Sequence, residues 1–302
     1  MVQARRPTVV IASLLGPDSD PTVAAGLAIA RSLGLPAVLA HAESPVPLLF
    51  GAPGGGFIPD PTRFQTLSEE LRAALALQAR RVAGDEVAPE TEIASGPPDQ
   101  VLADCAERHD ADLVVVGAPR HPELGTTADR LLRRIDRPVL VVKRPEKLPP
   151  SRVLAAVDLS EPAERALAAG VSLIERMSGG PRTIELLFAL HPQEIEGSIH
   201  FQPDRLKAFA CDELDRLARR AAPHAAQSFE RSLKVGDARD AILEEATNRP
   251  ADLILLGTHG RSGLERWILG SVAATVLRRA DTNVLVIPSH AAADRRPQEE
   301  AP

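Results

Sequence analysis

The chain has 302 residues, of which 44% are hydrophobic, and a formal net charge of −6. A chain of this length buries a sizeable core and is expected to form two domains. Its acidic balance does not favour nucleic acid or an anionic membrane as a partner. No apolar run reaches the roughly 18 residues of a membrane-spanning helix, and the N-terminal segment lacks a small-residue cleavage site, so we expect a cytoplasmic protein. Cys105 and Cys211 show no C-x-x-C or Cys/His spacing, so we expect neither a disulfide nor a metal site.

The first half alternates short apolar runs with helical patterns, which indicates βαβ units and a parallel sheet. It opens with the apolar run VVIASLL, residues 9–15. The insert LLFGAPGGGFIPDPTRF, residues 48–64, is predicted to be a long mobile loop rather than a second phosphate cradle. A helix after it has an apolar stripe at three- and four-residue steps, formed by Leu67, Leu71, Ala74, Leu75, Ala79 and Val82.

An internal repeat relates the two halves. The segment GPPDQVLADCAERHDADLVVVG (96–117) aligns without a gap with GDARDAILEEATNRPADLILLG (236–257). LGTTADRLLRRIDRPVLVV (124–142) aligns likewise with LGSVAATVLRRADTNVLVI (269–287). The sequence therefore predicts a tandem duplication with domains at 1–145 and 151–290. Their joint is the segment RPEKLPPSR (144–152), whose prolines favour a short stiff connector.

The second half repeats the βαβ pattern more clearly. Five strands are predicted, at residues 153–157, 184–190, 228–235, 253–256 and 284–287. The helix between the second and third strands has an apolar stripe predicted to face the sheet, formed by Leu206, Phe209, Ala210, Leu214, Leu217 and Ala221. A doubly wound sheet of this kind binds ligands outside the carboxyl ends of its strands.

A glycine-containing loop, GTHGRSGLERWILGS (257–271), follows the apolar run LILL and precedes the helical segment VAATVLRRA. Gly257 and Gly260 permit a sharp turn and a close backbone approach to a ligand. Gly270 and Ser271 stand where the helix begins, with unpaired N–H groups and the positive end of the helix dipole. This order of strand, loop and helix suits phosphate. It is neither a Walker A loop nor the dinucleotide fingerprint.

The spacing Gly-x2-Gly-x9-Gly-Ser resembles that of the ATP-binding branch of the universal stress protein family. VLAAVDLSEPAERAL (153–167) resembles the opening strand and first helix of that family, and VLVIP (284–288) resembles its closing strand. The first half is covered more loosely. The resemblance implies an α/β fold of two tandem five-stranded parallel-sheet domains, Rossmann-like and of the adenine nucleotide alpha hydrolase-like type, which form an intrachain pseudo-dimer.

In such a pseudo-dimer the closing strands of the two domains pair edge to edge. The candidates are residues 139–142 and 284–287. Pairing them hides sheet edges that would otherwise be exposed. Further association of whole chains into a homodimer is left open.

The resemblance also implies the ligand, which is ATP with Mg²⁺ in the C-terminal domain. Asp158 takes the ribose or a Mg²⁺-bridged phosphate, the loop takes the triphosphate, and the backbone at Ala189 meets the adenine. The predicted ATP-binding residues are Ala156, Val157, Asp158, Ala189, Leu256, Gly257, Gly260, Arg261, Gly270, Ser271, Val272 and Ala273. Asp158 is also the candidate Mg²⁺ ligand, and no catalytic residue is assigned.

Structural roles compete with these functional ones. Asp158 and Ser160 are residue types that cap the helix after them, and Ser271 is by default an N-cap of the last helix. His259 and Arg261 are by default exposed loop residues, although Arg261 could contribute charge to a phosphate site.

The first half departs from the nucleotide-binding pattern. Leu14 stands opposite Asp158, and Arg120 replaces the second glycine of the loop. Seven residues (118–124) separate the strand glycine from the glycine of the Leu-Gly pair, where the second half has twelve (258–269). We therefore predict one good nucleotide site per chain, with the degenerate half as a structural partner.

Three functions are compatible with the sequence. The first is an ATP-binding regulator of the stress response whose hydrolysis is slow, because no positioned base or P-loop lysine is visible. The second is a stress-linked interaction module with an empty or vestigial site. The third is an enzyme that uses the same crevice, which rests on fold analogy alone.

Overall fold

The computed structural model describes residues 7–43, 61–118, 127–177, 181–191, 203–223, 228–260 and 269–288. Among these residues, no helix is long and apolar enough to cross a membrane. The chain divides into two compact units, Met1–Val115 and Val116–Pro302. Each unit is an α/β structure, as the alternating pattern of the sequence predicts.

The first unit has a parallel sheet in the order β3-β2-β1-β4. Its described strands are β1 (Thr8–Ala12), β2 (Ala37–Glu43), β3 (Glu90–Ser95) and β4 (Ala111–Gly117), the last of which ends just inside the second unit. Its described helices are α1 (Asp20–Leu33), α2 (Pro61–Ala83) and α3 (Pro98–Arg108). The central strand β1 is almost wholly buried, as expected for a parallel sheet with helices over both faces.

The second unit has the strand order β5-β10-β9-β6-β7-β8. Its described elements are α4 (Thr127–Leu131), β5 (Val139–Val142), β6 (Arg152–Ala156), α5 (Glu161–Arg176), β7 (Thr183–Leu190), α6 (Pro203–Ala221), β8 (Ser228–Val235), α7 (Ala238–Asn248), β9 (Leu253–Gly257), α8 (Ser271–Arg279) and β10 (Asn283–Ile287). The strands of the second repeat agree with the five predicted ones to within one residue at each end. Among the described strands of this unit, those of the second repeat pair in parallel, and β5 pairs antiparallel with β10.

The predicted pairing of the two closing strands is confirmed. Val141 lies opposite Val284 and Leu140 lies opposite Leu285. Both strands are buried along their whole length. The closing strand of the first repeat therefore completes the sheet of the second, and each covers an edge of the other.

The buried side chain of Asn283, which the sequence pattern did not single out, forms hydrogen bonds that link the ends of this strand pair. The Oδ1 atom of Asn283 accepts from the backbone N–H groups of Lys143 and Arg144, both at 2.9 Å. Its Nδ2 atom donates to the carbonyl of Arg144 at 2.8 Å and to that of Asp252 at 3.1 Å. Because Asn283 is fully buried, these bonds satisfy backbone groups that water does not reach.

The predicted apolar stripes of two helices are partly wrong. In α6, Ala210 and Leu214 are buried, but Phe209 is 57% exposed. In α2, Leu75 is buried and Ala74 is exposed. Successive helical residues point about 100° apart, so only one member of each adjacent pair faces the sheet directly.

Candidate functional site

The ends of two neighbouring strands define the candidate site. Strands β6 and β9 are parallel neighbours, with Val153 opposite Leu253 and Ala155 opposite Leu255. Residues that follow β6 and residues that follow β9 therefore meet at the same edge of the sheet. On one side of this pair the sheet continues from β6 to β7, and on the other side it continues from β9 to β10, so the strand order reverses between β6 and β9. This is the switch point at which doubly wound sheets bind ligands.

Asp158 lies just beyond the end of β6 and is half-buried. Its Oδ1 atom accepts from the backbone N–H of Ser160 at 3.1 Å and from the hydroxyl of Ser160 at 2.5 Å. The N-cap of α5 is Ser160, whose Oγ accepts from the N–H of Ala163 at 3.3 Å. Asp158 thus holds the capping residue in place and does not itself cap the helix.

The other oxygen of Asp158 is directed at the glycine loop. A Cβ atom built on Gly260 would lie 2.1 Å from Oδ2 of Asp158 and 3.1 Å from its Cγ. The backbone at Gly260 therefore packs directly against the carboxylate. The described glycines with a positive φ are Gly34, Gly84, Gly96 and Gly236. Position 260 thus requires glycine for close approach, and the sharp left-handed turn that glycine also permits is not used there.

The start of α8 is fixed by a second close contact. Gly270 is the N-cap residue, and its N–H donates to the carbonyl of Thr258 at 2.8 Å. A Cβ atom at position 270 would lie 2.9 Å from that same oxygen. The default assignment of Ser271 as the N-cap is therefore wrong, because Ser271 is the first residue of the helix. The amides of Ser271, Val272 and Ala273 belong to the first turn, where an α-helix supplies no acceptor of its own, and glycine offers no side chain to cap them.

Four of the other predicted residues lie at or near the carboxyl ends of three strands. Ala156 ends β6, Val157 follows it, Ala189 is half-buried near the end of β7, and Leu256 is buried in β9. Arg261 lies outside the described residues. The sheet thus brings together strand ends that are about 30 to 100 residues apart in sequence.

Thr258 is the residue at this site that sequence reasoning missed. It is buried, its carbonyl accepts from Gly270, and its N–H donates to the carbonyl of Ile287 at 3.1 Å. Its Oγ1 atom lies 2.9 Å from Nδ1 of His259, which is half-buried and not the exposed loop residue that the sequence suggested. The only available signal for Thr258 was its place between two glycines.

The corresponding strand end in the first unit lacks the carboxylate. Leu14 follows β1 as Asp158 follows β6, and the next residues, Leu15 and Leu159, have left-handed φ values of 60° and 62°. This shared and uncommon conformation supports the alignment of Leu14 with Asp158. Leu14 is 59% exposed. Its side chain supplies no acceptor for a hydroxyl group or a cation.

Gln78, from α2, forms hydrogen bonds with the polar side chains near that strand end. Ser13 Oγ donates to Oε1 of Gln78 at 2.5 Å, and Nε2 of Gln78 donates to Oγ of Ser19 at 2.9 Å and to Oδ1 of Asp20 at 2.7 Å. A hydrogen bond from Arg81 lowers the pKa of Asp20. The first unit therefore satisfies its own polar groups here. Arg120 and the Leu-Gly pair of this half lie outside the described residues.

Comparison with known proteins gives one family. The universal stress protein family matches residues 6–143 and 150–288. Universal stress protein Slr1230 of Synechocystis sp. is 28% identical over 196 residues, 61% of this chain and 61% of its own length, so the match spans less than two thirds of that relative. The crystal structure of a universal stress protein from Archaeoglobus fulgidus DSM 4304 shares the fold, with 17% identity and a TM-score of 0.62 over 93% of this chain and 96% of that one. A universal stress protein in complex with cAMP is 26% identical and covers 46% of this chain and 97% of its own, with a TM-score of only 0.35.

Proposed function

This chain belongs to the universal stress protein family, and from that premise we propose that it is a nucleotide-dependent regulator of the stress response that binds ATP with Mg²⁺ in its C-terminal repeat. The observation that carries the proposal is the contact of Gly260 with the Asp158 carboxylate, on the same short segment whose Thr258 carbonyl fixes the start of α8. One edge of the sheet thus carries both the Asp158 carboxylate, which can accept hydrogen bonds from hydroxyl groups or bind a cation, and the N–H groups at the start of α8, which can donate hydrogen bonds.

The two sides of the site suit the two ends of a nucleotide. An aspartate accepts well from ribose hydroxyls and is a hard oxygen ligand for Mg²⁺. The N–H groups of Ser271, Val272 and Ala273 and the positive end of the α8 dipole suit phosphate oxygens. Gly270 contributes differently, since its own N–H is bonded to Thr258 and serves to position the start of the helix.

The proposal places one nucleotide in each chain. Leu14 supplies no carboxylate in the first repeat, and Gln78 already bonds to the polar groups of that strand end. We assign no general base and no P-loop lysine, so any hydrolysis is expected to be slow and the bound nucleotide to act as a signal.

Calorimetric titration of the full chain with ATP and excess Mg²⁺ tests the proposal. We expect about one equivalent to bind. Asp158→Ala removes the acceptor, and Gly270→Val forces a side chain onto the Thr258 carbonyl, so both variants should weaken binding by at least about tenfold, the factor that corresponds to about 1.4 kcal/mol.

Matched controls carry the same type of change in the first repeat. Leu14→Ala alters the position that corresponds to Asp158, and Gly125→Val alters the position aligned with Gly270. Both should leave the affinity unchanged. Absence of detectable binding by the wild-type chain contradicts the proposal and favours an interaction module. Phosphate release at about 1 per second or faster indicates an enzyme instead.

A further inference from the structure

Three metal-ligating side chains converge in the first unit, and none of them belongs to the proposed nucleotide site. Cys105 lies in α3, His109 follows four residues later at the end of that helix, and Glu92 lies on β3. One donor atom of each lies within 4.8 Å of the other two. Nε2 of His109 is 2.8 Å from Oε2 of Glu92.

The cluster is buried on one side and open on the other. Cys105 is fully buried, whereas the side chains of Glu92 and His109 are each 21% exposed. An ion therefore has a route to the cluster between the carboxylate and the imidazole. Burial, together with the negative charge of Glu92, raises the pKa of the Cys105 thiol to about 12. The metal-free chain thus holds a protonated thiol beside a carboxylate and an imidazole.

We propose that Glu92, Cys105 and His109 bind one Zn²⁺ ion. Thiolate, imidazole and carboxylate are the three kinds of ligand that proteins offer to zinc, and their combination excludes Mg²⁺ and Ca²⁺, which take oxygen ligands. The thiol proton leaves to solvent as the metal binds. Three protein ligands leave the fourth tetrahedral position to water.

The distances are close to those that zinc requires. Bonds of about 2.0 to 2.3 Å in a tetrahedron place neighbouring ligand atoms roughly 3.3 to 3.6 Å apart. The 2.8 Å separation of His109 and Glu92 has to widen slightly, and contacts as long as 4.8 Å have to shorten. The largest change required is about 1.2 to 1.5 Å, the difference between 4.8 Å and the tetrahedral separation, and rotation of the Glu92 and His109 side chains can supply much of it.

The surroundings of the cluster are compatible with a cation. Arg108 pairs with Oε1 of Glu92 and leaves Oε2 directed at His109, which is how outer-shell partners orient a ligand. The positive charge of Arg108 disfavours a nearby metal ion. The negative charges of Glu90, which acts on Cys105, and of Asp104, which acts on Arg108, partly offset it.

A zinc ion here would join an edge strand of the first sheet to a helix. β3 is the strand at one end of the order β3-β2-β1-β4, and its residues are half-buried or exposed. Coordination by Glu92 from β3 and by Cys105 and His109 from α3 would join this strand to the helix. The expectation of no Cys/His spacing overlooked Cys105-x3-His109, whose members share one face of a helix one turn apart.

Cobalt titration of the chelator-treated full chain tests this site, because Co²⁺ substitutes for Zn²⁺ and gives visible absorption that zinc lacks. We expect one equivalent of Co²⁺ to produce tetrahedral ligand-field bands and a thiolate-to-cobalt charge-transfer band, and Zn²⁺ to abolish both. Cys105→Ser should lose the charge-transfer band. Cys211→Ser, the matched control at the other cysteine, should retain it. Absence of the band in the wild-type chain overturns the proposal, as does its retention in Cys105→Ser.

A second measurement avoids substitution of a fully buried residue. His109→Gln and Glu92→Gln change partly exposed side chains, and each should weaken Co²⁺ binding by at least about tenfold. Zn²⁺ should raise the unfolding temperature of the wild-type chain and of Cys211→Ser, because a ligand that binds only the folded state stabilises it. It should raise that of His109→Gln much less. Equal Co²⁺ affinity in wild type and His109→Gln would overturn the assignment of His109.

Discussion

Substituting Gly260 by alanine tests the contact that defines the candidate nucleotide site. The added Cβ would lie 2.1 Å from Oδ2 of Asp158, whereas ordinary contact begins at 3.4 Å. The carboxylate or the loop therefore has to retreat by 1.3 Å, the difference between these two distances. A retreat of the carboxylate breaks its two hydrogen bonds to Ser160.

The magnitude follows from these contacts. Overpacking costs about 1 to 3 kcal/mol, and a hydrogen bond to a charged group contributes about 1.5 to 3 kcal/mol. Asp158 is half-buried, so water replaces part of what is lost. We expect Gly260→Ala to lower the free energy of unfolding by about 2 to 3 kcal/mol. In an Asp158→Ala background, which removes the carboxylate, we expect the same change to cost less than about 1 kcal/mol.

Urea denaturation of the four proteins, followed by circular dichroism, measures this double-mutant cycle. A coupling of about 1.5 to 2 kcal/mol between positions 158 and 260 is the expected result. Calorimetry on Gly260→Ala should also show weaker ATP binding, because the carboxylate proposed to bind the ribose or Mg²⁺ is displaced. An equal cost of Gly260→Ala in both backgrounds would refute the reasoning, since the alanine would then not meet the carboxylate.

Two further predictions concern other parts of the second unit. Asn283→Ala leaves buried backbone groups without partners and should lower the free energy of unfolding by about 3 kcal/mol, whereas Asn248→Ala at an exposed helix end should change it by less than about 0.5 kcal/mol; similar losses in urea denaturation of the two variants would contradict this. A hydrogen bond from Arg239 lowers the pKa of Asp237 from 3.8 to about 2. Because the folded-state pKa is depressed, Asp237 stabilises the fold above about pH 4 and this contribution is lost as the pH falls towards 2. The unfolding free energy of Asp237→Asn should therefore fall less between about pH 4 and pH 2 than that of the wild type. An identical pH dependence in the two proteins would show that the Asp237–Arg239 pair does not stabilise the fold.

The sequence alone established the repeating order of strands and helices and the tandem duplication. It did so because a buried parallel strand needs a continuous apolar run and the helices beside it need a periodic one. The pairing of the closing runs 139–142 and 284–287, which the resemblance to the family implied, is confirmed, and it covers two apolar sheet edges. The strand that ends at Gly257 and the helix that begins at Ser271 were likewise predicted from local order, and most of the loop between them lies outside the described residues.

Contacts between distant segments were decided by the tertiary structure. Local sequence permits glycine at position 260 for several reasons, and only the adjacency of β6 and β9 shows that the Asp158 carboxylate is what excludes a side chain. Gln78 gives no local signal of a role at the end of β1, more than 60 residues earlier in the chain. Phe209 fits the apolar stripe of its helix, yet it lies exposed because its neighbour Ala210 faces the sheet.

Periodicity along one element fixes which residues share a face, but strand order fixes which faces and strand ends meet. Asp158 and Gly260 are about 100 residues apart in sequence, and the parallel pairing of two strands places them in contact. Cys105 and His109 are one helical turn apart and were within reach of sequence reasoning, whereas Glu92 joins them only because β3 lies beside α3. The sequence determined the elements and their order, and the packing of those elements determined which polar groups can act together.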